Sequence, residues 1–195
     1  NFDNVLSIRK SCMKRTQVLL FSASISSKTI KLANDFTSKP VIYNLCQKEN
    51  NLIPRTIKHI YVITDRRERI ETLRKVVKAI NSTKSIIFIN TKYDLEETFQ
   101  KLEYHHYKVA SVSGNKDKNE KKKAIDDFAN GKINYLLSTD ISARGLQFDN
   151  IEAVINLNLP EDNTDYQHRA GRCGRNNKPG LCISIITENE LFKIK

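Results

Sequence analysis

The 195-residue chain predicts an α/β fold in which a mostly parallel sheet is covered by helices on both faces. Two observations carry this. Short apolar runs recur along the whole chain with helical patterns between them, which is the cadence of βα units. The runs are nearly continuous in apolar residues rather than alternating, as strands buried on both sides must be. Hydrophobic residues make up 39% of the chain, enough for a packed core at this length.

Taken in order, the expected strands are "QVLLFSA" (17–23), "VIYNL" (41–45), "IKHIYVI" (57–63), "SIIFIN" (85–90), "KVASVS" (108–113), "INYLLST" (133–139), "EAVINLN" (152–158) and "CISIIT" (182–187). Between them, "DRRERIETLRKVVKAI" sets Ile70, Leu73, Val76, Val77 and Ile80 on one stripe opposite a charged face, with Asp65 as the expected N-cap. "DLEETFQKL" (94–102) and "EKKKAIDDFANG" (120–131) follow the same period, the second closing on Gly131, which suits a left-handed position. In such a sheet, ligands gather at the carboxyl ends of the strands.

Lysine and arginine number 33 against 22 acidic residues, for a formal charge of +11. That balance favours a polyanionic partner. The 4 cysteines are scattered, without a paired spacing, so neither a metal site nor a disulfide framework is expected and a reducing, intracellular compartment fits. No apolar run approaches a membrane span, and "NFDNVLSIRK" lacks a signal peptide's apolar core. Without an initiator Met, the chain is expected to be a fragment.

Three strand ends carry hydroxyl, amide or glycine groups: Asn90 and Thr91, Ser113 and Gly114, and Ser138, Thr139 and Asp140. Each alone is ordinary turn or capping chemistry. Together on one edge they offer hydroxyls and backbone N–H groups suited to phosphates. The octamer "HRAGRCGR" adds Arg169, Arg172 and Arg175 at every third residue, with Gly171 and Gly174 expected to let backbone approach an anionic ligand.

In this order and spacing, "FSAS" (21–24), "SIIFINT" (85–91), "SVSG" (111–114), "STDISARGL" (138–146) and "HRAGRCGR" (168–175) resemble motifs III, IV, IVa, V and VI of DEAD-box RNA helicases. The resemblance spans nearly the whole chain. It implies a RecA-like three-layer fold: residues 1–25 as the end of a first RecA-like domain including motif III, 26–51 as helix, strand and interdomain linker, and 52–195 as the second RecA-like domain. It also implies ATP with magnesium, held mainly by the missing first domain, since the chain has no phosphate loop and no Asp-Glu pair for the metal. The fragment alone is therefore expected to be inactive.

Residue by residue, the resemblance assigns Arg172 and Arg175 to the γ-phosphate as arginine fingers. His168 would join them in catalysis and in coupling to Ser22 and Ser24, with Asp140 also in interdomain coupling. Gly145 and Gln147 would contact ATP. Asn90, Thr91, Ser113, Gly114, Thr139 and Arg144 would hold one RNA strand by its sugar-phosphate backbone, without sequence preference. Aromatic stacking is expected to be secondary. Departures are Gln147 in place of the usual ribose-binding Asp, "KNEK" (118–121) in place of Gln-x-x-Arg, and Ser24 in place of Thr. The lysine run "KNEKKK" is expected to be a solvated helix face. A non-enzymatic RNA clamp is the alternative, and a Rossmann-type enzyme is disfavoured because no G-x-G-x-x-G follows the first strand. The motif III strand, without its sheet, is expected to pack abnormally, disorder, or pair with another molecule's edge.

Overall fold

A computed structural model describes residues 2–13, 16–21, 30–31, 33–34, 37, 40–43, 54–114, 116–143, 146, 148–175 and 177–194. The chain divides into two compact units, Asn1–Asn50 and Asn51–Lys195. In the first, helix α1 (Phe2–Ser11) places Arg9 and Lys10 in its last turn, where cations suit the dipole. The strand expected at 17–23 is not seen where it is described. Residues 16–21 have no strand pairing, and Leu19, Leu20 and Phe21 are exposed. Strand propensity is realised only against a partner edge that takes up the backbone N–H and C=O groups. For the same reason residues 41–43 of "VIYNL" form no strand, and the remainder of both runs lies outside the described residues.

The second unit holds β1 (Ile57–Ile63), α2 (Arg69–Ile80), β2 (Ser85–Phe88), α3 (Lys92–Tyr104), β3 (Val109–Val112), α4 (Lys118–Ala129), β4 (Tyr135–Ser138), α5 (Asp140–Ala143), β5 (Ala153–Asn156), α6 (Asn163–Ala170) and β6 (Gly180–Ile186). The strands form one sheet in the order β1-β6-β5-β2-β4-β3, and every pair is parallel. The expected α/β class with a parallel sheet is therefore the observed one.

Along β2 and into its end the side chains alternate between two cores. Ile86 and Phe88 pack with Ala124, Phe128, Ala143 and Ala170 of α4, α5 and α6. Ile87 and Ile89 pack with Leu73, Val77, Leu95 and Leu102 of α2 and α3. Each such aliphatic side chain, once buried, contributes about 1.5–3 kcal/mol, so the sheet is held from both faces and the layers are helix, sheet, helix.

Local chemistry sets the helix ends. Asp65 begins a 3₁₀ turn (Arg66–Glu68) without a side-chain cap bond, and α2 proper starts at Arg69. Thr91, Asp117 and Asp162 cap α3, α4 and α6 by accepting from the N–H groups of Asp94, Asn119 and Asp165. Gly131 follows α4 at φ +72°, as its position predicts. A 3₁₀ segment (Glu188–Lys193) after β6 carries a capping box between Thr187 and Glu190.

Candidate functional site

Because all strands run parallel, their carboxyl ends share one edge. After β2 the chain leaves over the α2–α3 face, and after the neighbouring β5 it leaves over the α4–α6 face. Such a divergence opens a crevice between the two strand ends, the usual ligand position in open sheets. Here the crevice holds a side chain of the protein itself. Helical side chains lean toward the helix N-terminus, and Arg169 of α6 reaches back into this space with only 1% of its surface exposed.

Its guanidinium spends its donors on three strand ends. Nε and Nη2 donate to the two carboxylate oxygens of Asp140 after β4, at 2.6 and 2.5 Å. Nη2 also donates to Asn90 Oδ1 after β2 at 2.8 Å, and Nη1 to the Asn158 carbonyl at 2.8 Å and Asn156 Oδ1 at 3.3 Å around the end of β5. The guanidinium carbon stands 5.1 Å from the Phe88 ring centroid. Asn156 continues the network by donating to Ser184 Oγ on β6 at 3.2 Å. Bidentate Arg–carboxylate geometry of this kind is specific as well as strong.

Asn90 is fully engaged: its Nδ2 donates to the Leu159 carbonyl at 2.9 Å while its Oδ1 accepts from Arg169. Asp140 is likewise taken up by Arg169. Thr91 stays exposed, with its Oγ1 accepting from Asp94 N–H at 3.1 Å. Ser113 is buried and Gly114 exposed after β3. Thr139 Oγ1 donates to Ser142 Oγ at 3.1 Å in the turn that starts α5. The fold thus brings Asn90, Thr91, Ser113, Gly114, Thr139 and Asp140 to one edge. Arg144, Gly145, Gln147, Ser22 and Ser24 lie outside the described residues.

Charge is uneven along this edge. On the α2 side, a groove of about 1100 Å³ passes Arg66, Arg67, Asn90, Thr91 and Lys101, but Asp94, Glu97, Glu161, Glu188 and Glu190 line it too. Toward β3, two lysines converge on Gly114. Lys121 Nζ donates to its carbonyl at 3.0 Å, and Lys92 Nζ lies so close that a β-carbon at 114 would stand 3.5 Å away. Lys121 is thus the one residue of the "KNEKKK" run shown turned onto the strand edge, where a wholly solvated face was expected.

Arg172 and Arg175 are elsewhere. α6 ends at Ala170, with Gly171 as its C-cap, so Arg172 is not on a helix one turn from His168. The turn after it packs at the start of β1 and β6, at the opposite end of α6 from its N-cap. Gly174 sits at φ +66°, its carbonyl accepts from Thr56 Oγ1 at 3.0 Å, and an added β-carbon would collide with Ile57. The small residues of "HRAGRCGR" therefore serve packing. Ala170 and Cys173 are buried in the core, and Gly174 lets backbone approach β1, in place of the approach to an anionic ligand that the sequence leads us to expect. Burial pushes the Cys173 thiol up to about 12, which keeps it protonated and unreactive.

What this turn presents outward is charge. Arg172 Nη1 donates to the Leu146 carbonyl at 2.7 Å, and Arg175 Nε to the Gly171 carbonyl at 2.9 Å. Both bonds go to neutral oxygens, and among the described residues neither arginine has a carboxylate ion-pair partner. Partial burial, and then the positive charge of Arg175, draw the Arg172 pKa down. The two guanidinium groups thus sense each other's charge, and each planar fork is of the type that suits a phosphoryl group. His168 is half exposed, 3.9 Å from Asp165. Among the described residues there is no metal-binding group of His, Cys, Asp and Glu, and no helix is long and apolar enough to cross a membrane.

The family described as helicase conserved C-terminal domain matches residues 68–177. The chain is 32% identical over 190 residues to DEAD-box ATP-dependent RNA helicase CshC of Bacillus cereus, covering 97% of this chain and 48% of that protein. It is 28% identical to eukaryotic initiation factor 4A of Caenorhabditis elegans, covering 99% and 48%. The chain thus spans about half the length of the curated relatives it matches. Among solved structures, S. cerevisiae Dbp5 bound to RNA and ADP BeF3 superposes with a TM-score of 0.86 at 26% identity, over 98% of this chain and 50% of that one.

Proposed function

The chain belongs to the helicase conserved C-terminal domain family, of DEAD-box RNA helicase type, and from that premise we propose that it is the second domain of an RNA-stimulated ATPase that unwinds or remodels RNA. The observation that carries this reading is the Arg172–Arg175 pair, two guanidinium groups that sense each other's charge, bond to neutral carbonyls and have no carboxylate partner among the described residues. Charge held in this way, against neutral carbonyls, remains available to an incoming phosphate. The Dbp5 neighbour, a structure with RNA and ADP BeF3, supports both ligand classes.

In this reading Arg172 and Arg175 stabilise the charge that develops on a transferring γ-phosphoryl group. ATP with magnesium, gripped mainly by a first RecA-like domain, supplies that group, and Gly145 and Gln147 contact the nucleotide. Thr91, Ser113, Gly114, Thr139 and Arg144 hold RNA phosphates and sugars, while Asn90, committed to Arg169, sets the position of Thr91. Contacts of this class position a strand without reading its bases. His168, Asp140, Ser22 and Ser24 couple the two domains. The site of action is an intracellular, reducing compartment.

The test is RNA-stimulated ATP hydrolysis by the full-length protein. Arg172→Lys or Arg175→Lys should lower kcat by at least about tenfold, with a smaller change in ATP affinity, because lysine keeps the charge but lacks the planar fork. Arginine fingers are worth on the order of 10³–10⁵ in rate. Near-normal kcat in both variants would remove the pair from the chemistry. The 195-residue chain alone should show no ATP turnover.

A further inference from the structure

Tyr93 is 79% exposed in the first turn of α3, beside Thr91 and Lys92. Among the described residues, no ring contact or hydrogen bond involves its side chain. A second exposed tyrosine on the same helix, Tyr104 at 78%, makes the comparison. It lies at the far end of α3, and its ring meets His105 edge-on at 5.2 Å. Single exposed aromatics are common, so exposure alone assigns Tyr93 nothing. Its surroundings do.

Tyr93 directly follows Lys92 in the chain, and positive charge gathers where that lysine reaches Gly114. Lys92 and Lys121 converge on Gly114, and Lys116 is held nearby with its ammonium 5.0 Å from the Phe99 ring centroid. Of the carboxylates one turn along α3, Glu97 pairs with Lys101 at 2.7 Å, and Glu96, which keeps its charge, accepts from Gln100 at 3.3 Å. Asp94 is turned to the mixed-charge groove and Asp117 caps α4. An exposed ring next in sequence to a strand-edge lysine, and two residues after Thr91, is a combination that single-stranded nucleic acid exploits. The cations track the backbone while an aromatic face takes a base.

We infer that Tyr93 is a base-stacking platform, so that the RNA site of this domain contacts one base as well as the backbone. The inference rests on the RNA-binding reading above and departs from the expectation that stacking is secondary. It predicts affinity that depends on the presence of a base but only weakly on which base, since every base has a π-face and purines stack best.

The test is fluorescence anisotropy of the 195-residue chain with a labelled ten-nucleotide oligoadenylate and with an abasic ribose-phosphate decamer of equal length. Tyr93→Ala should weaken oligoadenylate binding about fivefold or more, leave the abasic decamer unchanged, and leave the circular-dichroism melt unchanged. Tyr104→Ala should change neither. Lys92→Ala and Lys121→Ala should weaken both oligomers and flatten the salt dependence. Because the chain contains no tryptophan, Tyr93→Trp installs a single indole, whose emission should be quenched by oligoadenylate but not by the abasic decamer. Equal affinity of Tyr93→Ala and the parent for oligoadenylate, or equal loss on both oligomers, would overturn the inference while leaving the RNA reading intact. A parent chain that binds neither oligomer would overturn both.

Discussion

Arg169 and the pair Arg172 and Arg175 are the same side chain repeated at one three-residue step, yet they do opposite things. Arg169 is buried, bound by Asp140, and ties together the ends of β2, β4 and β5. Arg172 and Arg175, beyond the last residue of α6, bond to neutral carbonyls and keep their charge facing outward. The difference comes from where the helix stops. Within α6 an arginine is carried into the crevice; past Gly171 the chain turns toward β1, and the next two arginines point away from it. A regular arginine spacing is therefore not one anion-binding comb but a structural cation followed by a pair bonded only to neutral carbonyls.

The largest effect expected from breaking this contrast is at Arg169. Arg169→Met strands the Asp140 carboxylate and three strand-end acceptors, and should cost about 3–5 kcal/mol, since removing one partner of a buried ion pair leaves the other uncompensated. Denaturant unfolding of the 195-residue chain would measure it. The double variant Arg169→Met with Asp140→Leu should recover part of the loss, whereas a purely ligand-binding arginine would show no such coupling.

Gly174→Ala comes next, at about 2 kcal/mol or more, because the residue holds φ +66° and its β-carbon would strike Ile57. Pairing it with Ile57→Ala should give a loss smaller than the sum of the two, read from the same unfolding curves. Additive losses would mean that backbone conformation alone, and not contact with β1, requires glycine there.

A smaller effect is expected from pH, acting on the packing of α6. Tyr166, three residues before Arg169, shares a 2.7 Å hydrogen bond with His59 Nδ1, and burial lowers the His59 pKa. The unfolded chain then takes up this proton first as pH falls. The contribution of His59 to stability is thus present above about pH 6.5 and is lost on acidification through its folded value. Thermal midpoints at about pH 7.5 and 5.5 should differ less in His59→Phe than in the parent, and an unchanged difference would dismiss the linkage. The smallest effect is Arg175→Ala, expected within about 0.5 kcal/mol of the parent stability. A larger loss would make the outward-facing arginine structural after all.

Much of the fold was legible from residue pattern. The six runs from "IKHIYVI" to "CISIIT" became the six strands of the sheet, and the stripe from Ile70 to Ile80 became α2, because a strand or helix buried in a core must be apolar at its own period. Gly131 closed α4 as its freedom of φ allows. "QVLLFSA" shows where pattern stops: the same apolar, β-prone composition forms no strand over residues 17–21, because pairing depends on a neighbouring edge that composition does not encode.

Of the candidate site, the sequence by itself determined the chemistry: hydroxyls, amides and glycine at three strand ends, and three arginines at every third residue of one octamer. That much follows from residue type and the strand-to-loop transition. Only the tertiary structure decided their roles. It placed Arg169 in the crevice between β2 and β5, gave Asn90 and Asp140 to that arginine, and set Gly174 against Ile57. It also turned Lys121 and Lys92 onto Gly114, leaving Tyr93 exposed beside them. Side-chain role depends on which distant strand ends a helix meets and on which residue ends that helix, and both are settled by packing across the sheet rather than by any local run of residues.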